Sequence, residues 1–92
     1  MSDLGAHLIV KGLVQGVGYR WFASKSASSH NLNGWVKNLP DSSVEVQVYG
    51  DKGAINSFIK ELARGPSFSK VKDVVVRWIE FEPGYNSFSV EP

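Results

Sequence analysis

The stretch Gly12-Leu13-Val14-Gln15-Gly16-Val17-Gly18-Tyr19-Arg20 joins an apolar, β-branched run to a segment with helical spacing. Gly16 and Gly18 stand one residue apart, which lets a backbone bend sharply and present its N–H groups to a ligand. A helix that begins there adds unpaired N–H donors and a partial positive charge. Arg20, in the first helical turn, adds a planar fork of donors that fits two oxygens of a phosphate. Strand, glycine loop, helix start and arginine together describe an anion site suited to phosphate. The commoner phosphate loops do not fit. A dinucleotide fingerprint needs a third glycine where Trp21 stands, and a P-loop needs its second glycine where Val17 stands.

His7 to Val14 reads as a strand and Arg20 to His30 as a helix. Tyr19, Phe22, Ala23, Ser26 and Ala27 fall near one face of that helix, and its serines make it depend on packing. Leu32 to Leu39 is a second strand, and Pro40-Asp41-Ser42-Ser43 a turn. Val44, Val46 and Val48 alternate with Glu45, Gln47 and Tyr49, the pattern of a half-buried strand with Tyr49 on its outer, surface side. Asp51 can cap a second helix carrying Ile55, Phe58, Ile59 and Leu62, and Gly65-Pro66 ends it. Residues 71–81 form a long strand candidate and residues 87–90 a short edge strand.

The order β-α-β-β-α-β specifies an α+β, ferredoxin-like sandwich. One mixed sheet with antiparallel pairs carries both helices on one face and turns the other to solvent. The helical crossover makes the first two strands parallel, so their C-terminal ends share one edge. Residues 15–20 and Asn38 then face a single anion.

Two segments resemble the acylphosphatase family. Residues 12–20 match its first motif, Gly-x-Val-Gln-Gly-Val-x-Phe/Tyr-Arg, throughout. Gly34, Trp35, Val36, Lys37, Asn38, Val44 and Gly50 match its second, with Ser42 where that motif has glycine. A looser Phe88-x-Val90 ending extends the resemblance over nearly the whole chain. A glycine at position 42 implies a backbone with positive φ, so Ser42 either bears that strain or marks a changed turn.

The resemblance implies hydrolysis of a carboxyl–phosphate anhydride to carboxylate and orthophosphate. It implies that Arg20 binds the phosphoryl group, together with the backbone of Gln15, Gly16, Val17, Gly18 and Tyr19, and that Asn38 orients the attacking water. The residues agree with this. Asn38 offers a neutral donor and acceptor, no general base stands in either motif, and a carboxylate leaves without protonation near neutral pH. The small-molecule substrate is then an acyl phosphate, with inorganic phosphate as product and competitive inhibitor, and no cofactor or metal is called for. His30 reads as a helix C-terminal residue, His7 as a partly exposed strand residue, Lys37 as a solvated charge, and Trp35 and Tyr19 as core or rim aromatics.

Composition sets the remaining bounds. Ninety-two residues, 42% hydrophobic and 12% aromatic, suit one domain over residues 1–92, with residues 1–5 a flexible start. The chain has no cysteine, so packing must hold it together. It shows neither a signal-peptide pattern nor an apolar run approaching ~18 residues, so a cytoplasmic monomer without membrane contact is expected. Net charge is only +1, which gives no nucleic-acid footprint. Lys11, Arg20, Lys25 and Lys37 against Asp3 alone make residues 1–40 the basic part. Two further readings share the fold. A non-catalytic anion-binding or regulatory module would need Arg20 but not Asn38. An RNA-binding module would need a patterned set of stacking aromatics on its third strand, where this chain offers Glu45, Gln47 and Tyr49.

Overall fold

The computed structural model describes residues 3–92. Its elements run β1 (Asp3–Leu13), α1 (Tyr19–Ser29), β2 (Asn33–Asn38), β3 (Val44–Asp51), α2 (Lys52–Arg64), β4 (Lys70–Ile79) and β5 (Phe88–Val90). The strands form one mixed sheet in the order β4-β1-β3-β2-β5. β3 is antiparallel to both β1 and β2, and β5 adds to β2 in parallel. The ferredoxin-like α+β fold and its two-helix layer therefore agree with the sequence pattern.

The alternation in β3 sets the core. Val44, Val46 and Val48 are fully buried together with Ala6, Leu8 and Val10 of β1 and Val36 of β2. Ala23 and Ala27 of α1 and Ile55, Phe58 and Leu62 of α2 close over them. The alanines let α1 approach closely, so its serine-rich sequence is held by contact rather than by propensity. α2 begins where Asp51 accepts a hydrogen bond from the Ala54 N–H at 3.0 Å, and ends at Gly65 with φ 69°.

Two expectations need correction. Asp3, Leu4 and Gly5 are not a flexible start; they pair with Asp51, Gly50 and Tyr49 in the β1–β3 ladder. Met1 and Ser2 lie outside the described residues. Nor does the face opposite the helices meet solvent everywhere. Tyr49 is only 2% exposed. Tyr85 stacks on it at 5.0 Å, and Phe81 meets it edge-on at 6.2 Å. Its alternation was read correctly but its surroundings were not, because the covering rings come from the irregular β4–β5 connection. Gly5 completes the fit: a Cβ there would lie 2.8 Å from the Tyr49 ring and from Ile79.

The β2–β3 hairpin has the positive-φ backbone that the motif glycine implied. Ser42 has φ 77°, in the left-handed region. The Ser42 N–H donates to Leu39 O at 3.2 Å and the Leu39 N–H to Ser43 O at 2.9 Å. Pro40 sits at the second turn position, and a left-handed residue follows, where glycine is customary. Glycine at position 42 would relieve ~1–2 kcal/mol of strain and add about 0.5–1 kcal/mol of unfolded-chain entropy. Ser42→Gly is therefore expected to stabilise the protein by up to about 1 kcal/mol, read as an upward shift of the urea midpoint at constant m-value.

The helices are tied by a polar clamp. Ser26 of α1 donates to Glu61 of α2, and His30 Nε2 lies 3.0 Å from the other Glu61 carboxylate oxygen. The Ser26 hydroxyl first, and then His30, hold the Glu61 carboxyl below its ordinary range. A depressed folded-state pKa stabilises above the unfolded value, and that stability is lost as pH falls through the folded one. Thermal midpoints are expected to drop across the acidic carboxylate range, and less steeply in Glu61→Gln than in wild type.

Candidate active site

β1 ends in a bulge. The β1–β4 register shifts between Lys11 and Gly12, and Gly12 has φ 130°. A Cβ at Gly12 would lie 2.1 Å from the Lys70 carbonyl oxygen, so this motif glycine serves strand packing. Gly34 is similar: its Cβ would lie 1.9 Å from Gln47 O. Gly16 and Gly18 differ. Both have positive φ, 74° and 76°, and nothing lies within 4 Å of where their Cβ atoms would stand. Their loop arches over open space, as an anion cradle requires.

That loop delivers α1 with an uncapped N-terminus. Gly18 is the N-cap and supplies no side-chain acceptor, and the first turn holds no acidic residue. The first intrahelical bond runs from the Phe22 N–H to Gly18 O at 3.0 Å. The N–H groups before it project from the positive end of the helix dipole. The contrast with α2, whose start is capped by Asp51, is direct.

A cleft of about 400 Å³ opens here, lined by Val14, Gly16, Gly18, Tyr19, Arg20, Trp21, Asn38 and Val90. Arg20 and Asn38, eighteen positions apart in sequence, thus meet across one space. Arg20 is half-buried, and one guanidinium nitrogen donates to Glu91 O at 2.6 Å. That bond ties the side chain to the segment after β5. None of the ion pairs among the described residues involves Arg20. Asn38 ends β2, opposite Val44. Its Oδ1 is buried without a hydrogen-bond partner. A buried acceptor left unpaired costs about 1–3 kcal/mol, and water or a ligand can satisfy it.

The remaining predicted site residues divide. Gly16 and Gly18 line the cleft; Val17 packs on the core. Tyr19 contributes only its backbone. Its ring is buried, its hydroxyl donates to Leu62 O at 2.6 Å, and burial pushes the phenol far above its ordinary range. Gln15 turns its side chain away from the cleft, and its Nε2 donates to Leu39 O and to Ser43 O, each at 2.8 Å. The sequence reading missed three features. Trp21, 66% exposed at the mouth, follows Arg20 directly and was visible as a neighbour. Val90 lies in the loosely matched ending. The Glu91 contact is made by a backbone carbonyl, which no residue identity announces.

The histidines lie outside the cleft. His7 contacts Glu45 at 2.7 Å on the far sheet face, and His30 caps the C-terminus of α1. Lys37 lies over the Trp35 ring at 5.4 Å and 3.8 Å from Glu45. No group of three or more His, Cys, Asp or Glu side chains among the described residues could hold a metal ion. No helix among them is long and apolar enough to cross a membrane.

Comparison with known proteins agrees with this geometry. The sequence model of the acylphosphatase family matches residues 6–90. An acylphosphatase of Chlorobaculum tepidum is 42% identical over 90 residues, spanning 98% of both chains. One of Thermus thermophilus is 48% identical over 82 residues, spanning 89% of this chain and 92% of the relative. The crystal structure of acylphosphatase from Bacillus subtilis superposes with a TM-score of 0.93 at 39% identity, over 97% of this chain and 99% of that one. With both motifs on one cleft and relatives matched along nearly their full length, the chain belongs to the acylphosphatase family.

Proposed function

We propose that the cleft hydrolyses acyl phosphates, with Arg20 and the backbone of residues 15–20 holding the phosphoryl group and Asn38 orienting the attacking water. The observation that carries this reading is that Asn38, whose Oδ1 has no protein partner, lines the same cleft as Arg20 and the uncapped start of α1. The arginine fork and the helix-start N–H groups bind the phosphoryl oxygens and stabilise the charge they carry in the transition state. Asn38 accepts a hydrogen bond from the water and aims its lone pair at phosphorus. The phosphorus–oxygen bond to the acyl group breaks, and the carboxylate departs unprotonated. A phosphate oxygen of the substrate takes the water's proton. Positioning and charge stabilisation dominate phosphoryl transfer, so a strong protein base is not needed. A module that only bound an anion would have no use for Asn38, and membership of the acylphosphatase family speaks against that alternative.

Arg20→Lys keeps the charge but loses the fork, and Arg20→Ala loses both. Two charge-assisted hydrogen bonds at ~1.5–3 kcal/mol each predict at least about a hundredfold loss of kcat/KM on acetyl phosphate for Arg20→Ala. Competitive inhibition by inorganic phosphate weakens in parallel. Near-normal turnover in either variant removes Arg20 from the reaction.

Asn38→Ala separates chemistry from binding. Its kcat is expected to fall by about 10²–10³, with phosphate inhibition within a few-fold of wild type and an unchanged circular dichroism spectrum. Asn38→Asp is expected to be no better, because it sets a negative charge beside an anionic substrate. Wild-type kcat in folded Asn38→Ala refutes the water-orienting role.

A further inference from the structure

We infer that Gln15 is a positioning residue that sets the distance between the phosphate loop and Asn38, a role resting on the proposed reading of Asn38. Gln15 belongs to the loop by its backbone and to the β2–β3 hairpin by its side chain. Its amide nitrogen spans the carbonyls of Leu39 and Ser43, at 2.8 Å from each. Those two carbonyls also close the hairpin, accepting from the Ser42 and Leu39 N–H groups. Both acceptors are oxygens, so only the NH₂ end of the amide can face them, and both of its hydrogens are used. One side chain thus ties the anion cradle to the residue next to Asn38.

The location makes this tie consequential. Asn38 is the last residue of β2, with ladder support from Val44 on one side. Beyond it runs a short loop that contains the strained Ser42. The Asn38 Oδ1 has no other protein group to fix it. Register between β2 and β3 fixes the height of Asn38 along the sheet, but not the lean of the hairpin end toward the loop. Gln15 fixes that lean. In-line attack demands that water and phosphorus be held within a few tenths of an ångström, and ~1 Å of misplacement can cost about 10²-fold in rate.

Gln15→Met keeps length and bulk and removes both donors. Its kcat on acetyl phosphate is expected to fall at least about tenfold, with the phosphate inhibition constant within threefold of wild type. Made in the Asn38→Ala background, the same change should lower kcat less than twofold further, because the group it positions is gone. Equal losses in both backgrounds, or phosphate affinity falling with turnover, overturn the role of Gln15. An unchanged kcat in Asn38→Ala alone overturns instead the reading of Asn38 on which it rests. Gln15→Glu gives a second route should the methionine variant fold poorly. Its carboxylate faces two carbonyls, but once protonated it donates one hydrogen bond. Its kcat relative to wild type should rise as pH is lowered toward the carboxylate range, and a flat ratio overturns the proposal.

Discussion

The antiparallel pairing of β3 with both β1 and β2 is the constraint on which this structure depends. A strand flanked on both sides by opposite neighbours forces those neighbours to run the same way. The loop leaving β1 and the asparagine ending β2 therefore emerge on one edge, separated by the width of a single strand. The alternating valines of β3 supply the reason for the pairing. A one-residue slip would turn Val44, Val46 and Val48 from the core to the opposite face and carry Glu45 and Gln47 beneath the helices. Hydrophobic patterning in a strand that holds no proposed reacting group thus decides whether Arg20 and Asn38 meet.

The two helix starts illustrate how polar groups are handled in stability and in function. The start of α2 is closed locally by Asp51, a capping side chain that serves the fold alone. The start of α1 is left with a glycine cap and no acidic neighbour. Asn38, whose Oδ1 has no protein partner, lines the same cleft. Each forgoes a stabilising interaction, and both do so at one place. Packing elsewhere offsets this, as in the buried Tyr19 whose hydroxyl anchors α1 to the carbonyl of Leu62.

Much of this was legible in the sequence because it depends on local chemistry. The Asp51 cap, the Gly65 stop and the valine alternation follow from local residue preferences. So does the pairing of the glycine loop with Arg20, once the strand-to-helix turn is read. The left-handed turn at Ser42 was signalled only by the glycine of the family motif. What escaped depends on partners distant in sequence. Tyr49 alternates as a surface residue does, and only the rings of Phe81 and Tyr85 bury it. Asp3 to Gly5 precede the apolar run that begins at His7, yet β3 supplies their ladder. Gln15 sits inside the anion motif while its side chain serves the hairpin. A motif states which residue types occur together, not which atoms each one commits, or to what.

The bond from Arg20 to Glu91 O makes the cleft hostage to the thinnest strand of the sheet. β5 spans only Phe88–Val90 and lies at the edge, its ladder confined to Gly34, Trp35 and Val36. Short edge segments fray at a far lower free energy than the whole molecule unfolds. Detachment of β5 would free the guanidinium from its tether, take Val90 from the cleft wall and separate Phe88 from Phe58 of α2. The arrangement that holds Arg20 therefore rests on a three-residue edge strand, and tryptophan fluorescence is well placed to register its opening, because Trp35 pairs with Ser89 of β5 and Trp21 lines the same cleft as Val90.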